Sequence, residues 1–151
     1  MSSEHIHMHG AAYEKALHDL AVELLALRSD AARLLYICPH VRADALGTAV
    51  ALHTALGKLG LESRILLSEA VSERLKYLSE WEQTAVLTTE EAVRAYDAER
   101  RNEGYKPVVF MVDCSSADRL AERAMLLDEA EGLYVLDHHI SAWKNERRVV
   151  I

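Results

Sequence analysis

The sequence predicts an α/β domain: a mostly parallel sheet of about five strands with helices on both faces. Three observations carry this. Short apolar runs alternate with longer segments of helical periodicity along the chain. One run, Val108-Val109-Phe110-Met111-Val112, is apolar throughout, as in a strand covered on both faces of a parallel sheet. Three runs end in carboxylate or imidazole residues, and open parallel sheets bind ligands beyond the carboxyl ends of their strands.

The elements follow in order. Residues 1–10 are polar, with alternating His5, His7 and His9, and are expected to form a disordered N-terminal segment. Residues 11–151 make the folded domain. Residues 11–28 place Leu17, Leu20, Ala21, Leu24 and Leu25 at helical spacing with no Gly or Pro. Residues 34–38 are the first strand, and Pro39, which lacks a backbone donor, suits its end. Residues 45–59 form a helix with Ala49, Leu52, Leu56 and Leu59 on one face. Gly60 caps it, and Gly47 allows close helix packing. Residues 62–67 are a strand and 72–78 a short helix with Ser72 at its N-cap. Residues 84–87 are a short strand. Thr88-Thr89-Glu90-Glu91 opens a helix, because hydroxyls followed by acids satisfy its first N–H groups and dipole. After Val108–Val112, residues 117–127 read as a helix with Arg119, Glu122 and Arg123 on its surface. Residues 133–136 are the last clear strand, and Val149-Val150-Ile151 resembles another beginning.

A length of 151 residues fits one domain. The net charge of −7 excludes a general basic field for long duplex DNA. No stretch approaches the roughly 18 apolar residues of a membrane span, so no membrane partner is expected and the chain reads as cytoplasmic. Cys38 and Cys114 read as small buried hydrophobes rather than a disulfide. Trp81 and Trp143 read as packing residues.

The chemistry lies at the strand ends. His40 and Asp44 sit four apart on the predicted loop after the first strand. Asp113 follows the all-apolar run, where a carboxylate is costly to desolvate unless paired, ligated or capping the next helix. Asp137-His138-His139 follows the last clear strand. Mixed oxygen and nitrogen donors suit manganese, magnesium or zinc. Neither a Walker pattern nor a Gly-x-Gly-x-x-Gly run is present.

These segments together resemble the DHH phosphoesterase superfamily, which includes oligoribonucleases, adenosine bisphosphate phosphatases and cyclic-dinucleotide phosphodiesterases. The first family motif corresponds to His40-Val41-Arg42-Ala43-Asp44-Ala45-Leu46-Gly47, the second to Val112-Asp113 with Asp118-Arg119 downstream, and the third to Asp137-His138-His139. The resemblance covers residues 34–140 and implies a Rossmann-like domain. It also implies His40, Asp44 and Asp113 at one metal position, and Asp113 with His138 at the other. His139 then contacts phosphate and Asp137 supports His138. Arg42 and Arg119 are candidates for meeting substrate phosphate. The implied ion is Mn2+, with Mg2+ the alternative, and the implied substrates are short oligonucleotides or nucleotides.

The chain departs from the family in three respects. The first motif has one Asp where the family has two. The family's fourth metal-binding Asp, downstream of the triplet, is absent, and so is its substrate domain. The domain is therefore expected to be truncated at its C-terminal side, with an incomplete two-metal site and weak or absent activity alone. Two alternatives stay open: a catalytically degenerate domain that binds nucleotide or protein, and a homodimer formed through the face that would meet the missing domain.

Overall fold

The computed structural model describes residues 3–27, 34–40, 43–79, 84–101, 107–114, 117–136 and 149–150. Its strands are β1 (Leu35–Pro39), β2 (Ser63–Leu67), β3 (Thr84–Val86), β4 (Val108–Val112), β5 (Gly132–Leu136) and β6 (Val149–Val150). They form one sheet in the order β3-β2-β1-β4-β5-β6, and every neighbouring pair is parallel. The predicted α/β class holds, with a two-residue sixth strand at one edge.

Strand alternation sorts the core into two layers. Leu35, Ile37, Val108, Phe110 and Val112 face one side, against Leu46, Ala49 and Leu56 of α2 (Ala43–Lys58) and Leu20 and Leu24 of α1 (Ser3–Leu27). Tyr36, Cys38, Val109 and Met111 face the other, against Val93 of α4 (Glu90–Arg100), Leu120, and Leu126 of α5 (Leu126–Glu129). Between them, α3 (Lys76–Ser79) follows a 3-10 turn over Glu73–Leu75.

Polar ties lock helices to the sheet on both faces. The Tyr134 hydroxyl donates to Glu23 Oε2 at 2.8 Å, holding α1, and Tyr134 stacks on Phe110 with ring centroids 5.1 Å apart. The Tyr36 hydroxyl donates to Asp97 Oδ1 at 2.9 Å, holding α4. Asp97 also takes an ion pair from Arg101, whose other nitrogen reaches Glu129 at 2.7 Å. Burial, with the Asp97 charge adding, pushes the Tyr36 phenol far above its usual range.

The helix ends follow local chemistry. Gly60 has φ +81°, its N–H donates to Gly57 O at 3.0 Å, and Leu61 N–H donates to Leu56 O at 2.9 Å. This is a Schellman end, closed by the buried pair Leu56 and Leu61. The Thr89 hydroxyl accepts from Ala92 N–H at 3.1 Å and caps α4. Ser72 precedes its 3-10 turn without a side-chain cap bond.

Several expectations change. α1 begins at Ser3 rather than residue 11. Among the described residues, a Cβ at Gly47 would meet nothing within 4 Å, so none of them packs against its bare backbone. Residues 117–127 are not one helix: a 3-10 segment over Ala117–Met125 is broken at Ala121, with φ 49° and ψ −127°, before α5. The break overturns the surface placement of Arg123, which is fully buried.

Candidate functional site at the strand ends

The strand order reverses at β1. From β1 the chain moves outward through β2 to β3, then returns to place β4 on β1's other side. Such a switch point opens a crevice beyond the carboxyl ends of the two central strands. Register makes the placement specific. Pro39 pairs with Val112, and Val112 with Leu136, so three strand ends lie in one row. His40 and Asp113 come one residue past that row, and in sequence Asp137 follows Leu136.

Backbone bonds carry the row one step further. His40 N–H donates to Val112 O at 3.0 Å, and Asp113 N–H donates to Leu136 O at 2.9 Å. Asp113 then turns the chain off the sheet with φ 59°. That is a left-handed conformation which Asp tolerates better than most L-residues. His40 and Asp113 are both half-buried. An imidazole and a carboxylate thus leave adjacent central strands at the switch point.

Asp44 belongs to the first turn of α2, not to a loop, because the helix starts at Ala43. The side chain of Asp44, and all of Arg42, Asp137, His138 and His139, lie outside the described residues. Trp81 and Trp143 lie outside them too. Arg119 is exposed on the 3-10 segment. Among the described residues, no three His, Cys, Asp or Glu side chains gather to hold a metal ion. His40 and Asp113 fit a hard or borderline divalent ion in donor type.

Near the carboxyl ends of β1 and β2 lies Arg123, which the helical period of residues 117–127 predicts at the surface. Arg123 donates from Nη1 to Pro39 O at 2.8 Å and to Leu66 O at 2.7 Å, and from Nε to Leu120 O at 3.1 Å. One guanidinium therefore joins the carboxyl ends of β1 and β2 to the segment after Asp113. Both cysteines are free and buried, as expected. Cys114 Sγ approaches Cys38 O at 3.9 Å. Burial pushes the Cys38 thiol up to about 11 against the opposing charge of Arg123, so it is no nucleophile near neutral pH.

No protein-family model and no curated protein matches the chain. Among solved structures, it is similar to an exopolyphosphatase-related protein from Bacteroides fragilis, with a TM-score of 0.67 and 13% sequence identity. The match covers 87% of this chain and 37% of that one. At such identity the likeness establishes the fold. Among the described residues, no helix is long and apolar enough to cross a membrane.

Proposed function

We propose that this chain is a metal-dependent phosphoesterase domain of the DHH type, acting on short oligonucleotides or nucleotides. One observation carries the reading most: His40 and Asp113 leave the register pair Pro39 and Val112 at the switch point. The next strand in the same row runs toward Asp137-His138-His139. The shared fold of an exopolyphosphatase-related protein agrees with this.

In this reading His40, Asp44, Asp113 and His138 would hold Mn2+, or Mg2+ in its place. The bound ion would lower the pKa of a water and stabilise charge on phosphoryl oxygens. Asp137 would orient the His138 imidazole by accepting a hydrogen bond from its second ring N–H. His139 donates to a phosphate oxygen, and Arg42 and Arg119 neutralise substrate charge. The single Asp of the first motif leaves the donor set short, so turnover by this chain alone is slow or absent. That shortened motif also supports a second reading, a domain that retains nucleotide or protein partners without hydrolysing anything.

Calorimetric titration with Mn2+ tests the first reading, on the wild type and on His138→Ala. One or two ions bound by the wild type and weakened at least tenfold in the variant are expected, as for loss of a direct ligand. No binding at millimolar Mn2+ overturns it. If Mn2+ binds, hydrolysis of a dinucleotide separates the two readings: cleavage supports the enzyme, and saturable binding without cleavage supports the degenerate domain.

A further inference from the structure

We propose that Arg123 is the positioning residue of the strand-end site, setting where His40 stands. Arginine is rarely buried fully, because its charge and five donors need partners. Arg123 is nonetheless 0% exposed, and among the described residues its hydrogen-bond partners are backbone carbonyls rather than a carboxylate. A cation in that place opposes the hydrophobic core around it, and residues filling the same volume without charge would pack there at lower cost.

What the guanidinium does is geometric. Pro39 O belongs to the residue immediately before His40, so the bond from Nη1 fixes the peptide plane from which His40 departs. The same nitrogen holds Leu66 O, near the carboxyl end of β2. Nε holds Leu120 O, inside the segment that begins at Asp113. Among the described residues, the two non-glycine residues with positive φ, Asp113 and Ala121, lie along this segment. Strained backbone persists where surrounding contacts over-determine it, and it concentrates at functional sites. The chain turns left-handed at Asp113 to leave the sheet, and turns again at Ala121 to send Arg123 back under β1. Arg123 thereby couples the strand end that carries His40 to the segment that follows Asp113. Residues that orient a site's ligands typically alter metal affinity by tenfold or more when replaced. That consequence rests on the phosphoesterase reading; the placement of His40 rests on geometry alone.

The test compares the wild type with Arg123→Lys and Arg123→Gln by histidine-ring NMR on the metal-free chain at fixed pH. Thermal unfolding of each is recorded alongside. His40 signals are assigned with His40→Gln. His53 is the internal control, since its Nδ1 bonds Ser63 Oγ at the other end of β2. In folded variants, the His40 ring signals are expected to shift while those of His53 stay in place. A lowered Tm with His40 unmoved makes Arg123 a purely structural residue and overturns the proposal. Mn2+ affinity in the same variants is expected to fall about tenfold. If the wild type binds no Mn2+, the phosphoesterase reading fails while the His40 shift still decides the role of Arg123. If neither variant folds, the wild type is warmed below its transition. The Arg123 Nε–H and His40 signals must then move together, and independent movement overturns the proposal.

Discussion

Ala121 holds a backbone conformation that suits glycine. Its φ of 49° with ψ −127° is sparsely populated by L-residues and costs about 1–3 kcal/mol. Ala121→Gly relieves that strain but adds conformational freedom to the unfolded chain. The net expectation is a gain of about 1 kcal/mol, read as a higher urea midpoint with unchanged slope. A lower midpoint would mean that the methyl group contributes packing worth more than the strain. The same residue explains why Arg123 was illegible in the sequence. On an unbroken helix, Arg119 and Arg123 stand four apart on one face. With the break between them, Arg119 remains exposed and Arg123 turns inward. No helical period encodes a turn taken by an alanine.

Two local caps formed as the sequence indicated, while Ser72 did not cap its turn. Gly60 ends α2 and Thr89 opens α4, each satisfying N–H or carbonyl groups within a few residues of itself. The start of α2 was less legible. No hydroxyl or amide stands before Ala43, and the helix takes Asp44 into its first turn, where a carboxylate favours the dipole. Gly47, expected to allow close helix packing, has open space beside it among the described residues. Gly47→Ala is therefore expected to stabilise the protein by about 0.5–1 kcal/mol. A rise in Tm without change in the far-ultraviolet spectrum would confirm it. A fall would show that a contact outside the described residues needs the bare backbone.

In the whole molecule, unbroken apolar runs and helical periods both point to one sheet covered on two sides, so the fold class was legible throughout. Of the candidate site, His40 and Asp113 were legible as strand-end residues, though only register sets them on adjacent strands, whereas the support from Arg123 was not legible. A pH response also belongs to this scale. The His53 imidazole on α2 bonds Ser63 Oγ at 2.6 Å, joining the helix to β2. Burial, with the Arg64 charge adding, holds it below the usual histidine range. Above about pH 6.5 both folded and unfolded chains carry it neutral, and it adds no pH dependence. As pH falls below that value the unfolded chain takes the proton first. Stability then declines until the lower folded pKa is passed. His53→Gln is expected to flatten this part of the stability profile, measured by denaturant titration between pH 5 and 7. An unchanged profile would assign the slope to other groups.

The all-parallel sheet has a kinetic consequence. No pair of its strands can be joined by a tight hairpin, and the central pairing brings Leu35 to Val108 across the intervening helices. Each such loop must close before the contact it makes gives any return, and the entropy of closure grows with its length. Nascent chains of this kind search slowly and show unpaired strand backbone while they do, so refolding is expected to take milliseconds to seconds rather than microseconds. β1, the strand on which the switch point depends, cannot be fully paired until β4 arrives.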